Sequence, residues 1–223
     1  MAKLIAVANQ KGGVGKSTMA GNIADAFAEM GEDPFVADLD RQNTLVQWSS
    51  MAGEGEGLRF VTGNLSAAGR NVHSELKKFV QSSKFKHVFA DCPPSVDDKT
   101  PITSMTLMVA DLVIIPVSPS PADFWSSAEF VQEIEKARIH NPTLKAAWLL
   151  NKTEANRTLS AGILEAIADT GIPAFKTVIP TRECYKQAMA FGTSVLMMTD
   201  RGGKAAAKEV RALAKEILEF LES

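Results

Sequence analysis

One run near the start, Lys11-Gly12-Gly13-Val14-Gly15-Lys16-Ser17-Thr18, restricts what this chain can fold into more than any other stretch. An apolar run, Leu4 to Ala8, precedes it and reads as a buried strand. A pattern of helical period begins at Ser17 and continues to Met30. Glycines between a strand and a helix let backbone N–H groups turn inward around phosphate oxygens. The positive end of the following helix acts on the same anion. In such a loop Lys16 supplies a point charge to the β- and γ-phosphates and Ser17 a hydroxyl to Mg²⁺. Gly12, Gly13, Val14, Gly15, Lys16, Ser17 and Thr18 are therefore the expected triphosphate cradle. The strict spacing would place a glycine where Gln10 stands, and Lys11 is a cation beyond what the cradle needs.

The rest of the chain agrees with that start. Apolar β-rich runs alternate with amphipathic helical stretches, which predicts a mostly parallel sheet with helices on both faces. The expected strands are Leu4–Ala8, Pro34–Asp38, Leu58–Thr62, His87–Asp91, Leu112–Val117, Ala146–Asn151 and Phe175–Ile179. The expected helices are Ser17–Met30, Ala67–Ser82, Pro121–His140, Ser160–Thr170, Glu183–Phe191 and Gly203–Leu221. Met51 to Gly57 reads as a glycine-rich loop. With 223 residues and no linker or repeat, one α/β domain over 1–223 with seven to eight strands is expected.

Composition is that of a soluble globular protein. A net charge of −2 means that any nucleic-acid surface must be a local patch. Cys92 and Cys184 are far apart and form no metal-like spacing, so reduced cytoplasmic thiols are expected. The N-terminal apolar stretch is too short for a signal peptide, and no run is long enough to span a membrane. No segment before the first strand has room for a DNA-reading helix-turn-helix.

Two strand ends carry acids. The second strand runs into Asp38-Leu39-Asp40, and strand C-termini in an α/β sheet converge on the ligand crevice. At a separation of two, Asp38 and Asp40 share a strand face and point toward the γ-phosphate and metal. The competing reading makes Asp40 a cap for the next helix. The fourth strand ends Val88-Phe89-Ala90-Asp91 before Cys92-Pro93-Pro94, and Asp91 is expected to hold Mg²⁺ through water. Cys92 reads as a small buried residue.

The loop with its early lysine resembles the deviant Walker A motif of the ParA/MinD family of ATPases. The resemblance implies that Lys11 reaches across a dimer interface to the partner's nucleotide. It further implies catalysis by Lys11, Lys16 and Asp40, with Asp40 positioning the attacking water, and ATP and Mg²⁺ as cofactors. Asp38-Leu39-Asp40-Arg41-Gln42 matches the family's first switch, except that Arg41 replaces a proline and leaves the backbone less restricted. Asn151 falls at the adenine-reading position, with a plain strand-end asparagine as the competing reading. Ile179-Pro180-Thr181-Arg182 matches a segment whose Pro180 and Thr181 pack along the base. Phe191-Gly192-Thr193-Ser194-Val195 matches an element read as structural. The stretch from Leu107 to Phe124 is similar to the small plasmid-partition ATPases typified by ParF.

On partners, the resemblance implies an ATP-dependent homodimer, higher-order assembly, and a small DNA-binding centromere adaptor that stimulates hydrolysis. Non-specific DNA binding in the ATP state implies a cytoplasmic protein that associates with the nucleoid. Lys204, Lys208, Arg211 and Lys215 share a face of the last helix, and with Arg182, Lys186 and Arg201 they form a candidate phosphate-contacting surface. The apolar stripe Val210, Leu213, Ala214, Ile217, Leu218 and Leu221 allows core packing, a DNA-facing ridge above it, or a membrane-lying helix. Glu209, Glu216, Glu219 and Glu222 oppose the membrane reading. The alternative function keeps the engine and changes the cargo: a membrane-cycling regulator or a positioner of a protein cargo. An iron–sulfur reductase fits the two cysteines poorly, and a tyrosine-kinase relative would need more than the single Tyr185.

Overall fold

In the computed structural model, which describes residues 1–52, 57–82, 84–94, 101–154 and 157–223, seven parallel strands form the sheet. They are β1 (Lys3–Val7), β2 (Pro34–Asp38), β3 (Val61–Asn64), β4 (His87–Asp91), β5 (Leu112–Val117), β6 (Lys145–Thr153) and β7 (Ile179–Pro180). Their order across the sheet is β3-β2-β4-β1-β5-β6-β7. The chain therefore leaves β1 in one direction for β2 and β4 and in the other for β5 and β6. Such a reversal opens a crevice at the strand C-termini.

The helices are α1 (Lys16–Glu29), α2 (Thr44–Ser50), α3 (Val72–Ser82), α4 (Ile102–Leu107), α5 (Pro121–His140), α6 (Arg157–Ala168), α7 (Cys184–Ala190) and α8 (Arg201–Glu222). Alternate strand residues feed two cores. Ile5, Val7, Val36, Phe89 and Ile114 pack with α1, α2, α7 and α8. Leu4, Ala6, Ala37, Ala90, Val113 and Ile115 pack with α3, α4, α5 and α6. A sheet covered on both faces needs such continuous apolar strands. The stripe of α8 lies in the first core, with Val210, Leu213, Ala214 and Ile217 fully buried, so the core-packing reading of that helix holds.

Three expectations shift, each for a local reason. β3 begins at Val61 rather than Leu58, because the Arg59 amide donates to Asp25 Oδ1 on α1 (2.8 Å) instead of to the ladder. The seventh strand shrinks to Ile179–Pro180, because the Glu216 carboxylate takes the Lys176 and Thr177 amides at 2.6 and 3.0 Å. The helix expected from Ala67 splits into a 3₁₀ segment, Ser66–Asn71, itself kinked at Gly69 with φ 53°, and α3. α2 and α4 are too short to leave a periodic signal and were not foreseen. Residues 53–56 of the expected glycine loop lie outside the described residues.

Candidate functional site

The loop between β1 and α1 sits at the centre of the crevice. Gly13 and Gly15 have φ of 78° and 93°, a region that L side chains rarely enter, and Gly15 is the N-cap of α1. A Cβ on Gly15 would also come within 2.5 Å of Asn151 Nδ2. Lys16 is 7% exposed, and its Nζ donates to the Lys11 carbonyl (3.0 Å). Burial pushes its pKa down, against the pull of Asp91, Cys92 and Asp40. An ammonium in that position is short of counter-charge, and an anion in the loop would supply it.

The carboxylates gather beside it. Asp38 and Asp91 are in register on neighbouring strands, and Val7, the last residue of β1, is in register with Asp91 from the other side. Both acids are fully buried, and their surroundings differ. Asp38 accepts the amides of Asp40 (3.1 Å), Leu45 (3.0 Å) and Val46 (3.3 Å). It closes the switch turn and caps α2 from a distance, so it does not point at phosphate or metal as its spacing suggested. The capping job considered for Asp40 belongs to Asp38. Asp40 itself is half-buried and accepts the Gln42 amide (3.0 Å). Its carbonyl takes the Asn43 amide (3.0 Å), and Arg41 O takes Asn43 Nδ2 (3.2 Å), so hydrogen bonds hold the turn where the family pattern has a proline.

Asp91 is the opposite case. Neither carboxylate oxygen has a hydrogen-bond partner among the described residues. Burial raises its pKa to about 7, and the negative Asp38 and Asp40 add to the shift, while Lys16 and the nearby Ser17 hydroxyl, which does not reach hydrogen-bond geometry, oppose it. A buried carboxylate with both oxygens vacant is costly unless something binds there. Next to a serine hydroxyl and a phosphate loop, an all-oxygen donor set suits a hard divalent cation such as Mg²⁺. No group of three metal-ligating side chains occurs among the described residues, and Mg²⁺ needs none when phosphates complete its shell. The Cys92 thiol is buried and driven well above its ordinary range, first by burial and then by Asp91, which makes it inert.

The far wall of the crevice comes from β6 and β7. Asn151 is buried and donates from Nδ2 to Val14 O (2.7 Å). Lys152 donates from Nζ to Gly13 O (2.6 Å). Asn151 is thus more than a plain strand-end residue: it clamps the phosphate loop. Pro180 is in register with Thr153, and the Thr181 amide donates to Thr153 O (2.9 Å), so Pro180 and Thr181 stand next to that amide's strand.

Comparison with known proteins agrees with this geometry. Residues 5–195 match the CobQ/CobB/MinD/ParA nucleotide binding domain. The chain belongs to that family. It is 33% identical over 219 residues to the maintenance of carboxysome distribution protein A of Halothiobacillus neapolitanus, covering 96% of this chain and 95% of that one. It is 29% identical over 240 residues to the chromosome-partitioning ATPase Soj of Thermus thermophilus, covering 96% and 94%. Among solved structures it is similar to cobyrinic acid a,c-diamide synthase of Mycobacterium smegmatis with bound ATP analog and magnesium, with a TM-score of 0.74, 23% identity and coverage of 100% and 96%. The expected likeness to ParF-type plasmid ATPases is thus replaced, at the level of the whole chain, by likeness to a protein named for carboxysome distribution.

Other members of the site escaped the sequence reading of this ParA/MinD family chain. Asn9 is fully buried. Its Oδ1 takes the Lys11 amide (3.0 Å), while its Nδ2 reaches Pro116 O (2.7 Å) and Ser127 Oγ (2.8 Å). A lone polar residue closing an apolar strand was the available signal. Asn22 joins Thr18 O (2.7 Å) to the Val195 amide (3.0 Å), and the buried Asp25 accepts the Ser194 hydroxyl. The Phe191–Val195 element thus braces the phosphate-loop helix. Lys11 Nζ lies 3.5 Å from Asp123 Oδ1 at the start of α5, and the other oxygen of Asp123 takes the Ser118 hydroxyl.

The candidate basic surface divides into two groups. Arg182 pairs with Glu209 through two nitrogens, Arg211 likewise with Glu29 (2.6 and 3.0 Å), and Lys186 with Glu183 (3.0 Å). The two arginines are structural braces, and Arg211 holds the Glu29 carboxyl down at about 2. Lys204, Lys208 and Lys215 are exposed on α8 and have no ion-pair partner among the described residues, as is true of Arg201. Glu209 and Glu216, two of the acids that oppose a membrane-lying helix, are engaged by Arg182 and by the amides of Lys176 and Thr177. No described helix is long and apolar enough to cross a membrane.

Proposed function

We propose that this chain is an ATP-hydrolysing positioning ATPase whose nucleotide-bound form pairs with a second copy and moves along DNA to distribute a cargo. The vacant Asp91 carboxylate beside Lys16 and Ser17 carries the nucleotide half of this reading. Lys16, Ser17 and the loop amides bind and orient the triphosphate, and Ser17 and Asp91 fit Mg²⁺. Bound Mg²⁺ neutralises charge on the phosphate oxygens. Asp40 accepts the proton of, or orients, an attacking water. Lys11, 43% exposed and resting on Asp123, reaches a partner's nucleotide. Asn151, Pro180 and Thr181 face the adenine. A similarly folded synthase solved with an ATP analog and magnesium supports the choice of ligand.

For cargo, the 33% relative named for carboxysome distribution, matched over nearly the whole chain, favours a protein assembly. Plasmid or chromosome partition with a small DNA-binding adaptor, of the ParF or Soj kind, is the second reading, favoured by the Soj relative. Both need a nucleoid surface, for which the three unpartnered lysines of α8 are suited.

Two experiments test the engine and the track. Asp40→Ala retains ATP binding and dimers but lowers turnover at least roughly a hundredfold, as loss of one positioned catalytic group does. Unchanged single-turnover hydrolysis returns Asp40 to a purely structural turn. Replacing Lys204, Lys208 and Lys215 together by Glu removes ATP-dependent DNA retention on a filter at low salt and leaves nucleotide affinity unchanged. Retention equal to the parent's rejects α8 as the DNA face. The brace Arg211 is left out of that variant, because its loss frees Glu29 and confounds stability with binding.

A further inference from the structure

Lys152 combines an unusual backbone conformation with a short hydrogen bond to the phosphate loop. It follows the buried Asn151 at the end of β6. Its φ is 56°, in the left-handed region, one of three non-glycine residues there among those described. A side chain held in that conformation is strained and persists where the surroundings impose it. From there its Nζ donates to Gly13 O at 2.6 Å, while Asn151 Nδ2 donates to Val14 O at 2.7 Å. Two neighbouring side chains thus hold two consecutive carbonyls of the phosphate loop.

In a planar trans peptide the C=O of one residue and the N–H of the next point in opposite directions. Drawing the Gly13 and Val14 carbonyls toward β6 therefore turns the N–H groups of Val14 and Gly15 away from it. We propose that Lys152 is a positioning residue: with Asn151 it fixes two peptide planes of the loop so that the Val14 and Gly15 amides face an incoming phosphate before it arrives. The proposal rests on the nucleotide-binding reading. It differs from a base contact in its consequence, because a pre-set loop favours any triphosphate whatever is attached to it.

The lysine stem agrees with this role. Its Cε lies 3.9 Å from where a Cβ on Gly15 would stand, so the stem runs beside the loop. The amine also brings a positive charge to the Gly13 carbonyl, in the loop that would hold the anion.

The test measures binding of ATP and of inorganic tripolyphosphate, each with magnesium, by calorimetry on the full chain and on Lys152→Met, Lys152→Gly and Lys152→Arg. Glycine relieves the positive φ, so that variant folds at least as stably as the parent. The expected result is a loss of roughly tenfold or more in affinity for both ligands, by the same factor, in the Met and Gly variants. Arg should recover part of it, and the melting temperature of the free Gly variant should not fall. A loss for ATP alone would make Lys152 a base-contacting residue and overturn the proposal. Unchanged affinity for both ligands would overturn it too. A parent chain that binds neither ligand would refute the nucleotide reading, and the proposal with it.

Discussion

Asp91→Asn should raise the melting temperature of the nucleotide-free protein while removing magnesium-dependent ATP turnover. The two effects have one cause. Asp91 is fully buried, its oxygens have no partner among the described residues, and its pKa is about 7. An ordinary aspartate titrates near ~3.9, so ionising this one inside the fold costs about 4 kcal/mol relative to the unfolded chain. An asparagine avoids that cost but leaves an unpaired amide, worth ~1–3 kcal/mol against it. The balance is a gain of about 2 kcal/mol, or roughly 4–8 °C for a chain of this size.

The pH dependence follows with a definite sign. Because the folded pKa lies above the unfolded one, the fold holds this proton more tightly than the unfolded chain does between about pH 4 and 7. Its contribution to stability is fully present below about pH 4 and is lost as pH rises through 7. Thermal unfolding of the parent without nucleotide should show that decline, and the Asn variant should lack it. Binding of a cation at Asp91 releases the proton, so magnesium-nucleotide affinity of the parent should climb over the same interval. Equal melting temperatures at pH 5 and pH 8 for parent and variant would sink the assignment of Asp91 as the strained, ligand-seeking acid. A protein that keeps such a group exchanges stability for ligand binding.

What could be read from the sequence depends on the range of the interaction. The strands and long helices were legible because apolar period is local, and α5 has the expected bounds, Pro121–His140. The positions of Asp91, Lys16 and Ser17 were legible because each ends an apolar strand or opens a helix. The role of Asp38 was not. Its spacing to Asp40 suggested a shared target, but it takes the Asp40 amide itself and two amides, of Leu45 and Val46, on a helix, α2, too short to be seen in the pattern. Asn9, Asn22 and Asp25 were missed for a similar reason, since their partners lie as far away as Ser127 and Ser194. The surface was misjudged through pairing. Arg182 and Arg211 count as basic in any composition, yet each is bidentate to a glutamate from another element.

Lys11 allows a second large effect to be separated into two opposite ones. Lys11→Ala should reduce ATP turnover by roughly a thousandfold, the scale of losing a charge that acts on a transferring phosphoryl group from a partner. It should also abolish ATP-dependent dimers while single-chain ATP binding survives through Lys16 and the loop amides. Asp123→Ala should act the other way. In the single chain Lys11 Nζ stands 3.5 Å from Asp123, with both side chains partly exposed, so the pair is worth at most about 1 kcal/mol. Removing the carboxylate frees the ammonium to cross to a second copy, and half-maximal dimerisation should need a few-fold less protein. The backbone of Lys11 stays fixed in both variants, because Asn9 holds its amide and Lys16 its carbonyl. Trp125, 70% exposed and two residues beyond Asp123, can report the event, since Trp48 and Trp148 are buried. Analytical ultracentrifugation with ATP gives the decisive comparison. If both variants weaken dimers equally, Asp123 is part of the interface rather than a resting place for Lys11. If neither changes them, Lys11 acts only within its own chain.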